Sequence, residues 1–315
     1  MSDAPPVGAS ADLGSNSVHL LVAAIVGHEL EPLADESVFL GLGATVDEHG
    51  HLGLAKRREL ADALAHYAAR ARQLGASHVT FMGTEPIRRA ADAARMADEV
   101  EQATGAPLIV LSHEEEAYLT LIGVTSGQPV TAETLVVDIG GGSSEFCAVA
   151  AGGRARAAGL RLGANRLTTQ FVRGDPPTAQ QLQSMTAAAD KILRDALTAE
   201  PTDLVLVGGT ASNLLKVTAA GTADRVVTRE RVAEALATLS AQAAARTSER
   251  FGLNRTRARL MPAGAVIVDA LMRRYQVDRI RVSEAGMREG AILVADHAGR
   301  AWRDRLAELA HGWRH

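Results

Sequence analysis

Cysteine is almost missing from this chain: Cys147 is the single one among 315 residues. An intramolecular disulfide is therefore impossible, and a cysteine-built zinc site cannot be assembled. Cys147 lies in an apolar run, 145–149, that reads as a strand, which predicts a buried, inert thiol. Lysine is scarce as well. Lys56, Lys191 and Lys216 are the lysines among 33 basic residues, so positive charge is carried by arginine, including Arg154, Arg156, Arg161 and Arg166 and then Arg255, Arg257 and Arg259. Guanidinium forks suit bidentate phosphate contacts, although a G+C-rich coding sequence explains arginine as a class equally well. No apolar run approaches the roughly 18 residues that a membrane-spanning helix needs. The polar start, 1–10 with Pro5 and Pro6, has neither the basic nor the apolar stretch of a secretory signal. A cytoplasmic location without a membrane partner is expected. The net charge of −4 excludes bulk attraction to polyanions, so no nucleic-acid partner is expected. Any polyanionic substrate has to be met by a local cluster.

At this length the size prior gives two domains of about 150 residues each. Two segments share one pattern: an apolar strand approach, an Asp, a Gly- and Ser-rich turn, and an apolar returning strand. The first turn reads Asp12-Leu13-Gly14-Ser15-Asn16-Ser17 and the second Asp138-Ile139-Gly140-Gly141-Gly142-Ser143. They are too far apart in the chain for a solenoid and fit two similar domains facing each other across a cleft. Between them, Leu60, Leu64, Tyr67, Ala71 and Leu74 recur at helical spacing, with Gly75 as the C-terminal cap. Strands are predicted at 78–82 and 108–111, and a helix opened by Ser112 and running to about Gly123. The second half predicts strands at 135–138, 146–150, 204–207 and 279–282, helices at 178–197, 229–251, 262–275 and 302–310, and a loop at 171–177. Strands alternating with helices make an α/β protein, and the hairpin after each Asp makes the sheets mixed.

A strand that ends in Asp and turns through glycines aims several backbone N–H groups at one point, which suits a phosphoryl group. One such turn is weak evidence, since Gly-Ser turns mostly just reverse a chain; two with matching Asp positions are stronger. Asp138 and Glu145 put hard oxygen ligands at either end of the second turn, a chemistry appropriate to magnesium held jointly with phosphates. The alternative for Glu145 is a solvated strand residue. Asp12 is either a further ligand through water or a brace for its own turn. In Ser112-His113-Glu114-Glu115-Glu116, Ser112 as N-cap makes Glu115 the partner of a capping box, and Glu114 is a favourable first-turn acid. Glu116 has no such duty. It is free to point into a cleft as a general base, or it belongs to a solvated helix start. Arg88 or Arg89, following a strand, could clamp a phosphate with Thr84 donating a hydroxyl hydrogen bond; the alternative for Arg89 is a surface salt bridge. Gly208, Gly209 and Thr210 form a third glycine turn between strand and helix, a further phosphate or nucleotide contact.

Together these motifs, with Ser283-Glu284-Ala285-Gly286-Met287-Arg288-Glu289-Gly290, resemble the exopolyphosphatase and guanosine pentaphosphate phosphohydrolase family, in its short two-domain form. The resemblance implies two ribonuclease H-like domains of the superfold shared by actin-like ATPases, sugar kinases and heat-shock protein 70. The expected extents are 1–122, with a C-terminal helix at about 299–312 packing back on it, and 123–298. It implies that Glu116 activates the attacking water and that Asp138 and Glu145, with Asp12, surround the metal. Magnesium is the cofactor expected, with manganese as the substitute. Ser15, Asn16, Ser17, Thr84, Arg88, Gly140, Gly141, Gly142, Ser143, Gly208, Gly209 and Thr210 are the phosphate contacts expected. Inorganic polyphosphate, of short chain length, is the implied substrate, with guanosine penta- or tetraphosphate as the alternative ligand and a homodimer as the implied assembly. A kinase or ATPase of the same superfold and a non-catalytic sensor are the rival classes. Three positions depart from the family pattern: His113 replaces a Gly, Phe39 an Arg and Arg259 an acidic residue.

Overall fold

The computed structural model describes residues 4–218 and 224–313. The chain divides into two compact units, 1–129 with 285–315 and 130–284. In the first unit, β1 (Val7–Leu13), β2 (Ser17–Val26) and β3 (Glu29–Phe39) form an antiparallel meander, and α1 (Leu42–His49) and α2 (Gly53–Gln73) follow. The chain then returns through β4 (Val79–Gly83), the short α3 (Glu85–Arg89), α4 (Ala93–Thr104), β5 (Leu108–Val110) and α5 (His113–Thr125). The sheet order is β3-β2-β1-β4-β5, with β4 and β5 parallel to β1. Leu60, Leu64, Tyr67 and Ala71 bury one face of α2 against β1, β2 and β4, as their spacing predicts. Each buried leucine there contributes about 1.5–3 kcal/mol.

The second unit repeats the hairpin with β6 (Thr134–Ile139), β7 (Ser144–Val149) and β8 (Arg156–Leu160), followed by α6 (Ala164–Phe171) and α7 (Ala179–Ile192). Next come β9 (Asp203–Val207), α8 (Gly208–Val217), β10 (Val226–Thr228), α9 (Arg229–Ala241), α10 (Ala244–Phe251), α11 (Arg255–Tyr275) and β11 (Arg279–Val282). The order β10-β11-β9-β6-β7-β8 is again mixed. A core of Leu135, Val137, Phe146, Leu204, Leu206, Ile267 and Leu271 lies between this sheet and α11.

Four helix expectations change: 178–197 ends at Ile192 and continues as a 3-10 turn over Leu193–Asp195, and 302–310 is 3-10 to Arg305 and α-helical only over Leu306–Leu309. The single helix over 229–251 is broken at Gln242 and Ala243, because the Asp175 carboxylate accepts from the Ala244 N–H at 2.9 and 3.1 Å and starts a new helix there. The helix expected from Pro262 starts earlier, at Arg255, where the Asn254 side chain accepts from the Thr256 N–H at 2.8 Å.

After β11 the chain re-enters the first unit through α12 (Met287–Ala298), a 3-10 segment over 299–305 and α13 (Leu306–Leu309). The expected boundaries at 122 and 298 differ from this division by the end of α5 and the whole of α12. The reason is the crossing of α12 over α5. A Cβ on Gly123 would lie 1.9 Å from the Gly286 carbonyl oxygen, and one on Gly290 would lie 1.9 Å from that of Leu119. Backbone meets backbone here, so glycine is required on both helices. Ile292 of α12 covers Leu21, Ala23 and Ile25 on the far face of the sheet. No helix among the described residues is long and apolar enough to cross a membrane.

Candidate phosphoryl and metal site

In the second unit the glycine turn after β6 is held from behind. The Gly140 carbonyl accepts from Ala164 N–H (3.1 Å), that of Gly141 from Asn165 and Arg166 N–H (2.9 and 3.1 Å), and that of Gly142 from Arg166 Nε (2.8 Å). In a trans peptide the N–H points opposite to the carbonyl that precedes it. The N–H groups of Gly141, Gly142 and Ser143 are thus turned away from α6, toward one side of the turn, as an anion cradle requires. Gly163 permits this seating: a Cβ there would meet the Gly141 carbonyl oxygen at 2.3 Å. The turn in the first unit is built likewise. Ser15 O accepts from Gly43 N–H (2.8 Å) and Asn16 O from Leu40 and Gly41 N–H (3.0 and 2.9 Å), which turns the amides of Asn16 and Ser17 the other way.

Asp138 and Glu145 stand in register on the antiparallel strands β6 and β7, so their side chains share a face. Glu145 is buried and Asp138 half-buried, and burial pushes the Asp138 carboxyl up to about 6. Like charges directly opposite each other on a sheet repel, and a divalent cation between hard oxygens relieves both that repulsion and the desolvation. Beside them β9 runs parallel to β6, with Val207 level with Asp138. Gly208 then adopts a left-handed φ of 84°, and a Cβ there would lie 2.4 Å from Asp138 Oδ1. The space against that carboxylate is kept open by the missing side chain. These hard oxygen donors fit a divalent metal ion.

The second unit thus gathers Asp138, Gly140–Ser143, Glu145 and Gly208–Gly209 at one end of its sheet. The methyl group of Thr210 faces α11, where a Cβ on Gly264 would meet it at 2.6 Å.

In the first unit, α5 begins with the predicted capping box. Ser112 Oγ accepts from Glu115 N–H at 3.2 Å and Glu115 Oε2 from Ser112 N–H at 2.7 Å. Glu115 also takes Arg303 at 2.5 and 3.0 Å, a brace from the C-terminal segment that no local pattern announces. Glu114 is exposed, whereas Glu116 is only 6 % exposed, so the solvated-helix-start alternative does not hold for Glu116. Its Oε1 accepts from Arg88 Nη1 at 2.5 Å, and that nitrogen also donates to the Leu111 carbonyl. Arg88 Nη2 lies 3.0 Å from His113 Nδ1. Burial, and then the Arg88 charge, hold the His113 pKa below its usual value.

Thr84 departs from expectation. Its hydroxyl donates to the Leu13 carbonyl at 3.0 Å, bracing the end of β4 against β1 in place of the expected phosphate contact. Arg89 pairs with the buried Glu85 at 2.5 Å and with the exposed Asp47 at 2.8 Å, so only the second of these is a surface salt bridge. Cys147 is buried and its thiol is pushed up to about 12. Asp12 lies on β1 level with His19 and Met82, half-buried beside Gly14.

The family model of the Ppx/GppA phosphatase family matches residues 21–297. The chain belongs to the Ppx/GppA phosphatase family. Among Ppx/GppA relatives, a Vibrio parahaemolyticus protein named guanosine-5'-triphosphate,3'-diphosphate pyrophosphatase is 27% identical over 293 residues, covering 91% of this chain and 59% of its own. A Mycobacterium leprae protein named exopolyphosphatase 1 is 29% identical over 295 residues, covering 90% and 87%. The chain spans about 59% of the length of the first of these relatives. A crystal structure of the Aquifex aeolicus Ppx/GppA family member superposes with a TM-score of 0.82 at 26% identity, over 94% of this chain and 99% of that one. The two mixed-sheet α/β units have the actin-like ATPase fold of these Ppx/GppA structures.

Proposed function

We propose that this Ppx/GppA protein hydrolyses the terminal phosphoanhydride of inorganic polyphosphate, in short chains, to release orthophosphate. The observation that carries this is the juxtaposition, within one unit, of the Gly141–Ser143 amides with the in-register carboxylates Asp138 and Glu145. The amides suit the phosphoryl oxygens, and Asp138 and Glu145 would hold magnesium, with Asp12 reached through water. When bound, the ion supplies positive charge against the phosphoryl oxygens. Glu116 takes the proton of the water that attacks the terminal phosphorus in line, and Arg88 offsets charge on the phosphoryl group. The turn at Ser15–Ser17 and the glycines Gly208 and Gly209 contact further phosphates. Positioning accounts for most of the rate. A cytoplasmic homodimer completes the proposal, testable by sedimentation.

The test is orthophosphate release from short polyphosphate, long polyphosphate, guanosine pentaphosphate and ATP with magnesium, for the native chain and Glu116→Gln. The expected result is release from short polyphosphate without any acceptor, little from ATP, and a loss of about 100- to 10,000-fold in the variant. Preference for guanosine pentaphosphate would overturn the substrate assignment. An unimpaired Glu116→Gln would overturn the mechanism.

A further inference from the structure

We propose that His113 is a positioning residue that fixes the guanidinium plane of Arg88, and so sets the affinity of this protein for a phosphoryl group. The inference deepens the proposed phosphohydrolase activity and rests on Arg88 serving as a phosphate clamp there.

Arg88 comes from α3, a helix of five residues, and its long side chain has no neighbour on that element to hold it. Its Nη1 reaches Leu111 and Glu116. Those two bonds hold the Nη1 end of the planar fork and leave Nη2 to be held by another group. The His113 ring holds that other end, with Nδ1 at 3.0 Å and Nε2 at 3.3 Å from Nη2, and the whole fork is then placed. The guanidinium has more N–H donors than these acceptors use, so a fixed fork can still present donors to a phosphate.

His113 is itself rigidly placed. It is the first residue of α5, directly after the N-cap, and the Ser112–Glu115 capping box determines the backbone there without any help from its side chain. The helix start does not need an imidazole, whereas Arg88 gains an acceptor. Only a neutral ring nitrogen can accept from a guanidinium. Burial, the Arg88 charge and the positive end of the α5 dipole all favour the neutral ring. A pre-oriented guanidinium loses less side-chain freedom on binding, which tightens phosphate without adding a contact.

The experiment is binding of inorganic orthophosphate, with magnesium, to the full chain by calorimetry, alongside kcat and KM on short polyphosphate. His113→Ala is expected to weaken orthophosphate by about tenfold, with little change in melting temperature. His113→Asn, whose Oδ1 can replace a ring nitrogen as acceptor, should return affinity to within about twofold. In an Arg88→Ala background, His113→Ala should have no further effect. Wild-type affinity in His113→Ala, failure of Asn to rescue, or additive losses in the double variant would each overturn the inference. A native chain that binds orthophosphate but releases none from any substrate would refute the hydrolase activity alone, and the binding comparison would still decide the role of His113. A native chain that does not bind orthophosphate would overturn the inference and leave the hydrolase activity to be decided by the release assay.

Discussion

Arg88 Nη1 lies 2.5 Å from Oε1 of Glu116, and the Glu116 side chain is 8 % exposed against 22 % for Arg88. An ion pair this dry is costly to break from one side, because the remaining charge stays buried. Arg88→Ala is expected to lower stability by about 2–4 kcal/mol. Adding Glu116→Gln should recover part of that loss, since the orphaned carboxylate is then gone. Urea denaturation of both single variants and the double variant checks this, and a double variant as unstable as the sum of its parts would contradict it.

Asp138 supplies a pH prediction. Its folded-state carboxyl is raised from 3.8 to about 6 by burial, so ionisation opposes folding. The cost is absent below about pH 4, grows through pH 4 to 6, and is complete above that range. Asp138→Asn should therefore be more stable than the native chain at pH 7 in chelator, by about 1–2 kcal/mol after allowing for solvent screening. The advantage should vanish as the pH falls through 6 to 4. Magnesium should raise the melting temperature of the native chain and leave that of Asp138→Asn nearly unchanged. Thermal unfolding across pH, with and without the ion, measures all of these.

Glycines around the site separate into two kinds. Gly163→Ala would drive a methyl group into the Gly141 carbonyl and displace the turn, costing about 1–3 kcal/mol and raising KM. Gly208→Ala meets Asp138 and a left-handed φ as well. Gly209 has nothing within 4 Å of an added Cβ, so Gly209→Ala should keep its fold. Thermal unfolding of the three variants would show the contrast, and a destabilised Gly209→Ala would contradict it.

At the α5–α12 crossing, Ala in place of Gly123 gains about 1 kcal/mol of helix propensity. The carbonyl 1.9 Å from its Cβ belongs to backbone and cannot turn aside. Overpacking should win, leaving Gly123→Ala less stable by more than about 2 kcal/mol. Unchanged denaturant midpoints would show that the helices can separate without cost.

Much of this protein is written locally. The capping box at Ser112 and Glu115, the apolar runs that make β6 and β7, and the Asp-Gly turns after β1 and β6 depend on neighbours a few residues away, so spacing alone exposed them. Elimination also singled out Glu116, because each adjacent glutamate had a local duty and it had none. What only tertiary structure decided involves partners distant in sequence. Asp175 breaks a helix at Ala244, Thr84 spends its proton on Leu13, and Gly123 admits α12 and so moves it into the first unit. His113 met Arg88 in the same way, across a helix and a strand that no local periodicity links. Hydrogen bonds and steric gaps act over a few ångströms in space whatever the separation along the chain, so a sequence reveals them only when that separation is also short.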